Sequence, residues 1–259
     1  MSLAFDRSGP PGKPVLLLHG IGGGRAIWAG TLHALAQAGF DAMALDFPGY
    51  GSSQSTAPGG VEHMADSVIG MLDELHLPSV ALVGHSMGGM VAQEIAAIAP
   101  KRLRALVLAC TSSAFGKPDG KWQEGFVAQR LAPLDQGLGM QGLAERLVPS
   151  MTGPNADPAG LALAKKVWAA VPEATYRRVL AAIAAFDRRA SLAQISLPTL
   201  CLAASLDQTA PPELMRRMAE RIAGAQFLEI LDAGHIANVE QPQAFNQALI
   251  GFLQSLPIS

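Results

Sequence analysis

A serine, a histidine and an aspartate occupy positions in this sequence where they could form a nucleophilic catalytic site. Residues 84–88 read Gly-His-Ser-Met-Gly, directly after the apolar run 80–83 and before a helical pattern. This is G-x-S-x-G in a strand–turn–helix setting, where the glycines leave room for a sharp, strained turn. The following helix directs its N-terminus at the serine and favours developing negative charge. We predict Ser86 as a nucleophile; the alternative is a glycine-rich turn with an idle serine.

A serine hydroxyl needs a base to take its proton and a third group to hold that base. His235 follows the last predicted strand, and the loops at the carboxyl ends of strands are where a doubly wound sheet gathers its site. Asp207 follows the preceding strand, which gives the chain order Ser, Asp, His. We predict His235 as the base and Asp207 as the residue that orients it. For Asp207 the alternative is a capping residue before two prolines.

The other five histidines fit the role of base less well. Three of them lie in helical patterns: His33, His63 and His76. His19 ends a strand beside a glycine run, where we expect a structural hydrogen bond. His85 precedes the serine, and we expect its side chain to point away from the reaction centre.

Acyl transfer also requires N–H donors for the tetrahedral oxyanion. We expect one from the backbone of Met87, directly after the serine, and one from the loop 19–24, which reads His-Gly-Ile-Gly-Gly-Gly. Ile21 is the first choice for that second amide, and Gly22 is the next. The loop lacks both G-x-G-x-x-G and the Lys-Ser/Thr of a phosphate-binding loop, so the sequence does not indicate nucleotide binding.

Six short apolar runs alternate with helical patterns and must position these residues. Continuous apolar runs of this kind are typical of a parallel sheet covered by helices on both faces. The runs lie at 14–18, 41–45, 80–83, 106–109, 199–203 and 227–231. The alternation predicts an α/β fold with a doubly wound, mainly parallel sheet.

The alternation stops between about residues 110 and 195, where helical patterns occur without a convincing strand. We predict that residues 112–194 form a helical cap, inserted before the last two strands. Residues 1–111 and 195–259 would then form the core. The alternative is an ordinary helical layer of that core.

Composition excludes several classes of protein. The chain has 259 residues, 49% of them hydrophobic and 15% charged, which is ample for one large core. The net charge of −2 and the lack of a basic stretch argue against nucleic-acid partners. No apolar stretch reaches the ~18 residues of a membrane span, and residues 1–12 lack a secretion signal, so we expect a cytoplasmic protein. Cys110 and Cys201 lie in apolar runs without CxxC spacing, and we expect no metal site.

These residues together resemble the α/β-hydrolase family over nearly the whole chain. The match includes the glycine loop, the segment 46–53, the serine turn, Asp207, and Gly-His at 234–235 with Glu-Gln-Pro at 240–242. The resemblance implies a mainly parallel sheet, a helical cap, a Ser-His-Asp site and no cofactor. One departure concerns the start of the chain. Only about a dozen residues precede Val15, enough for one short strand where a full eight-stranded family sheet would need two.

Within that family, the C-terminal third looks most like 3-oxoadipate enol-lactonases. The similar segments are 210–213, 218–222, 233–238 and 239–246. The resemblance implies that the partner is a small-molecule ester or lactone, cleaved through an acyl-enzyme.

Substrate contacts are expected mainly from the cap. An enol-lactone that bears a carboxylate would favour a cationic residue near Ser86, and three arginines are candidates: Arg130, Arg178 and Arg188. Trp122 lies near the entrance of the cap and could wall the pocket; plain core packing is its alternative. Gly22 in the glycine loop is a further candidate for a substrate contact.

Three other functions remain open. A carbon–carbon bond hydrolase of ring-cleavage products often has Asn before the serine and Trp after the histidine, where this chain has His85 and Ile236. A cofactor-free perhydrolase or haloperoxidase would use the same three residues. A non-catalytic ligand receptor could use the same fold, because a fold alone does not define function.

Overall fold

The computed structural model describes residues 3–54, 59–116 and 121–256. The strands are β1 Phe5–Ser8, β2 Pro14–Leu18, β3 Asp41–Leu45, β4 Val80–His85, β5 Leu103–Ala109, β6 Thr199–Ala204 and β7 Gln226–Ile230. The α-helices are α1 Ala29–Gln37, α2 Val61–Glu74, α3 Met87–Ile98, α4 Lys121–Asp135, α5 Gly139–Ser150, α6 Pro158–Ala169, α7 Glu173–Ile183, α8 Pro212–Glu220, α9 Ala237–Glu240 and α10 Pro242–Ser255.

The strands form one sheet in the order β1-β3-β2-β4-β5-β6-β7. β1 is antiparallel to β3, and the other neighbouring pairs are parallel. The predicted doubly wound, mainly parallel sheet is therefore confirmed. The strand order reverses between β2 and β4, and ligands of such sheets bind outside the carboxyl ends of the strands at this point.

Burial explains why the strands read as continuous apolar runs. Every residue of β3, β4 and β6 is buried, because helices cover both faces of the sheet. β7 lies at the edge, and its residues are mostly exposed or half-buried. None of the described helices combines the length and the apolarity needed to cross a lipid bilayer.

The N-terminal part of the sheet differs from a full family sheet. The strand expected near the start of the chain is β1, which pairs antiparallel with β3 at the edge of the sheet. Among the described residues the sheet has seven strands. The carboxyl ends of β2, β4, β6 and β7, which precede the predicted site residues, are unaffected.

Four helices, α4 to α7, lie between β5 and β6 and are called the helical insertion below. No regular strand interrupts them within the described residues; an isolated bridge pairs Ala114 with Asp187. Next to this bridge, Arg188 binds Glu94 of α3 through two hydrogen bonds of 2.5 and 2.6 Å. The insertion is thus held against the helix that follows the predicted nucleophile.

Candidate active site

Ser86 sits on a strained turn between β4 and α3. Its backbone has φ 54° and ψ −119°, a region that non-glycine residues rarely adopt. A Cβ atom on Gly84 would lie 2.3 Å from the carbonyl oxygen of Gly88, and one on Gly88 would lie 2.3 Å from that of Leu18. The two glycines are needed because backbone segments approach each other here, and Ser86 lines the cavity described below.

The structure brings the three predicted polar residues together in one hydrogen-bonded row. His235 Nε2 lies 2.9 Å from Ser86 Oγ, and His235 Nδ1 lies 2.8 Å from Asp207 Oδ2. Asp207 Oδ1 also accepts the backbone N–H groups of Thr209 and Ala210 at 2.7 and 2.9 Å. Burial raises the pKa of Asp207, but the interaction with His235 and these N–H bonds outweigh it and hold the pKa below its usual value. An ionised Asp207 favours a proton on Nδ1 and leaves Nε2 free to accept from the serine.

The backbone amides of Met87 and Ile21 are available to a ligand. Both residues line the cavity beside Ser86, and neither N–H has a hydrogen-bond acceptor among the described residues. The carbonyl oxygen of Gly20 accepts the N–H of Gly23 at 2.9 Å and faces His19 Nδ1 at 2.7 Å. These two contacts fix the peptide group whose N–H belongs to Ile21.

His19 makes the structural hydrogen bonds expected of it. Its Nε2 accepts the N–H of Phe47 at 3.2 Å, so Nδ1 carries the proton that is donated to Gly20. Burial lowers the pKa of His19 to about 4 and keeps the ring neutral. Nearby, the Tyr50 hydroxyl donates to the carbonyl oxygen of Ile21 at 3.0 Å. The first part of the glycine loop is therefore held by hydrogen bonds to the carbonyl oxygens of Gly20 and Ile21.

The expectation that His85 points away from the reaction centre is wrong. Its ring lines the cavity, lies 5.2 Å from the ring of His235, and donates from Nε2 to the His235 carbonyl oxygen at 2.6 Å. The absence of a side chain at Gly20 makes room for it, because a Cβ there would lie 3.2 Å from His85 Nδ1. Burial lowers the pKa of His85 to about 4, and the ring acts as a neutral donor.

Glu240 is a residue of the site to which the sequence assigned no role. Its buried carboxylate accepts the N–H groups of Gly234 at 2.7 Å, Ile236 at 2.9 Å and Gly153 at 2.7 Å. The sequence signal was its place in the Glu-Gln-Pro segment shared with the family. The contact with Gly153 depends on how the insertion folds back, which no local pattern predicts.

The cavity beside Ser86 is mainly apolar and lies between the sheet edge and the helical insertion. Its apolar walls include Met90, Phe126, Met151, Trp168, Leu180 and Ile183. Cys110, which forms no disulfide, is among the lining residues, and burial raises the pKa of its thiol well above the usual value. Within the described ranges, no group of three His, Cys, Asp or Glu side chains is arranged to hold a metal ion.

One of the three candidate arginines lines this cavity. Arg130 of α4 lies with its guanidinium 4.9 Å from the centre of the Phe126 ring and 3.9 Å from the sulfur of Met151. In the part of the chain that the structure describes, no carboxylate forms an ion pair with it. Arg188 is paired with Glu94, and Arg178 lies against Thr175 instead of lining the cavity.

The structure places Trp122 outside the cavity. Its side chain is 44% exposed and stacks on Phe126 with 5.2 Å between ring centres. Trp168 of α6 forms the aromatic wall instead, and a Cβ on Gly22 would lie 2.2 Å from its indole ring. Gly22 also lines the cavity, and because it has no side chain the indole ring of Trp168 can pack against its backbone.

The geometry can be compared with known proteins. The sequence profile of a family described as "alpha/beta hydrolase fold" matches residues 13–242. The chain belongs to the alpha/beta hydrolase family. It is 35% identical to a RutD protein from Variovorax paradoxus, named for carbamate hydrolysis, over 98% of this chain and 96% of the relative.

Two solved alpha/beta hydrolase structures are similar over nearly their whole length. The enol-lactonase from Burkholderia xenovorans LB400 has a TM-score of 0.87 at 27% identity and covers 98% of this chain and 96% of its own. The esterase from Thermogutta terrifontis has a TM-score of 0.88 at 31% identity and covers 98% and 93%. The similarity to enol-lactonases seen in the C-terminal third therefore extends over the fold. The three names agree on hydrolysis and differ in the substrates of those proteins.

Proposed function

We propose that the protein is a serine hydrolase that cleaves a small carboxylic ester or lactone through an acyl-enzyme. The observation that carries this proposal is the continuous hydrogen-bonded row from Asp207 through His235 to Ser86, with contacts of 2.8 and 2.9 Å. It ends at a mainly apolar cavity with two backbone N–H donors that have no acceptor among the described residues. We further propose that the helical insertion acts as the cap that selects the substrate.

The mechanism follows from the position of each group. Ser86 Oγ attacks the carbonyl carbon while His235 Nε2 takes its proton, and the amides of Met87 and Ile21 stabilise the oxyanion. Collapse of this intermediate releases the alcohol, which receives the proton from His235, and leaves the acyl group on the serine. Water then attacks the acyl-enzyme with His235 as base and releases the acid. Asp207 holds the ring orientation and stabilises the imidazolium.

Replacement of the serine tests this mechanism. Ser86→Ala should lower the rate on p-nitrophenyl acetate by about a thousandfold or more, with the fold retained by circular dichroism. The matched control is Ser112→Ala, which removes another serine hydroxyl from the cavity lining and should keep most of the activity. An unchanged rate in purified S86A would refute the proposal. Failure of a serine-reactive phosphonate to label the wild-type protein would instead favour a ligand receptor.

We propose further that the substrate carries a carboxylate, as a 3-oxoadipate enol-lactone does. Arg130 supports this, because its guanidinium lies in a mainly apolar cavity without a carboxylate partner among the described residues. Arg130→Met should lower kcat/KM for an anionic lactone by roughly 10- to 100-fold and change that for a neutral lactone little. Arg130→Lys should recover part of the loss. An equal loss on both lactones would contradict the assignment.

A carbamate is the second candidate substrate, favoured by the similarity to the RutD protein. It would use the same serine and the same oxyanion donors. A panel of matched esters, lactones and carbamates decides between these classes by their relative kcat/KM. A dienoate ring-cleavage product and an acetate–peroxide mixture in the same panel test the carbon–carbon hydrolase and perhydrolase alternatives.

A further inference from the structure

Glu240 is a buried carboxylate that takes no part in the proposed mechanism. It is the last residue of α9 and is 1% exposed. Its Oε2 atom accepts two N–H groups, from Gly234 and Gly153, and its Oε1 atom accepts one, from Ile236. The amides before and after His235 are therefore bound to a single side chain.

The backbone of His235 itself is also fully bonded. Its N–H donates to the carbonyl oxygen of Met151 at 2.7 Å, and its carbonyl oxygen accepts from His85 at 2.6 Å. A Cβ on Gly234 would lie 2.2 Å from the Met151 oxygen, so the loop has no room to shift towards the insertion. Glu240 completes this set of contacts by joining the loop to Gly153 as well.

The bonding pattern favours an ionised carboxylate at this position. An ionised carboxylate can accept hydrogen bonds from all three N–H groups. A protonated carboxyl group would carry a hydrogen on one of its oxygens, and that hydrogen would face an N–H donor instead of an acceptor. Burial is the larger effect and raises the pKa of Glu240 above its usual value, and the three N–H groups and the charge of His235 offset only part of this rise. Attraction between two charges is mutual, so the carboxylate also stabilises a protonated His235.

The other titratable groups around His235 define the local charge. Asp207 after β6 is the second anion, and His85 at the end of β4 is neutral. The thiol of Cys110, next to the end of β5, is also neutral, because burial and the two nearby carboxylates raise its pKa. Arg130 is a cation that lines the same cavity as His235. Among the described residues, Asp207 and Glu240 are the carboxylates that attract a charged His235 ring.

We propose that Glu240 is a positioning residue for hydrolysis. It holds the His235 loop at the position where the imidazole reaches Ser86. It also supplies a second negative charge that stabilises the imidazolium formed in the transition state. The inference rests on the proposed hydrolytic function and assigns to it a residue outside the Ser-His-Asp row.

The test is Glu240→Gln, assayed on p-nitrophenyl acetate from pH 5 to 9. We expect kcat to fall roughly tenfold with little change in KM. The acid limb of kcat/KM should move to lower pH by about half a unit or more, because loss of a nearby anion destabilises the imidazolium. Glu240→Asp keeps the negative charge, but its shorter side chain cannot reach all three N–H groups. The acid limb of its pH profile should therefore stay at the wild-type position while kcat is reduced.

Glu94→Gln is the matched control, since Glu94 is a buried carboxylate on α3 bound to Arg188. Its acid limb should match that of the wild type. The inference would be overturned if E240Q had the kcat and the acid limb of the wild type. It would also be overturned if E240Q and E240D lost kcat equally and the acid limb of their pH profiles did not move. If E240Q does not fold, a wild-type kcat in E240D overturns it. Activity in S86A would instead refute the hydrolytic mechanism itself.

Discussion

At the scale of single residues, the site depends on side chains whose charge is set by their surroundings. His19 and His85 are buried and neutral, and each uses one ring nitrogen to hold a backbone carbonyl beside the cavity. Asp207 is buried and ionised, because His235 and two backbone N–H groups outweigh the cost of burial. The outcomes differ because burial dominates at the two histidines and lowers their pKa values, whereas the contacts of Asp207 outweigh its burial.

The neutral histidines predict a loss of stability on mild acidification. Their native pKa values of about 4 lie below the ordinary 6.5, so the unfolded chain binds more protons between pH 6.5 and 4. Stability should be fully present above pH 6.5 and fall as the pH drops through this window, by on the order of 3 kcal/mol for each ring at pH 4. Urea unfolding at several pH values measures the slope.

His85→Gln keeps a side-chain N–H donor but cannot take up this proton. The slope of its unfolding free energy between pH 6 and 5 should be smaller than that of the wild type by about 1 kcal/mol per pH unit. His33→Gln, at an exposed position on α1, is the control and should retain the wild-type slope. An identical slope in H85Q would show that this ring does not contribute.

At the scale of elements, the strand–turn–helix unit from β4 to α3 does most to position the site. β4 is buried along its whole length, and α3 begins directly after the strained Ser86. β2 lies beside β4 in parallel, which brings the glycine loop after β2 next to Ser86. The two proposed oxyanion donors therefore follow neighbouring strands at the point where the strand order reverses.

Two glycine-to-alanine variants should distinguish the steric effect of this close backbone approach from the ordinary preference of helices for alanine. Gly88→Ala places a Cβ 2.3 Å from the backbone oxygen of Leu18 and should cost roughly 4 kcal/mol or more of unfolding free energy. Gly70→Ala lies in α2 with no atom near the new Cβ and should stabilise by about 0.5–1 kcal/mol. Denaturant titrations of both variants measure the difference. Equal effects at the two positions would argue against the tight turn.

At the scale of the whole molecule, the helical insertion is bound to the core at its middle and near its C-terminal end. Between α5 and α6, Met151 accepts the backbone N–H of His235 and Gly153 donates to Glu240 of α9, and after α7 Arg188 binds Glu94 of α3. Glu94 is 2% exposed, and its charge is balanced by a guanidinium that is about one-third exposed. The insertion and the core therefore share buried polar contacts as well as the cavity.

The Arg188–Glu94 pair predicts a non-additive effect on stability. Arg188→Met leaves a buried carboxylate without its partner and should lower the unfolding free energy by about 3 kcal/mol. The double variant Glu94→Met with Arg188→Met should lose much less, because both charges are removed together. Denaturation of the two single variants and the double variant completes the cycle. Additive losses would indicate that the pair is not coupled.

The sequence predicted the elements of the sheet well, because strands buried on both faces are continuous apolar runs. The Ser86 turn was equally clear, since its glycines lie two residues on either side of the serine. Contacts made across the insertion were not predictable. Trp168 rather than Trp122 lines the cavity, and Glu240 reaches Gly153, because these contacts depend on how helices distant in sequence pack together.

The hydrogen bond from the backbone N–H of His235 to the carbonyl oxygen of Met151 limits how this protein can be re-engineered. A graft that exchanges helices α4 to α7 for those of another hydrolase to change substrate preference would also replace the acceptor of the His235 backbone N–H. Chimeras should therefore retain residues 151–153 from the parent chain and place their crossover points on either side of them. Residues 151–153 would thus serve both the proposed cap and the position of the His235 loop.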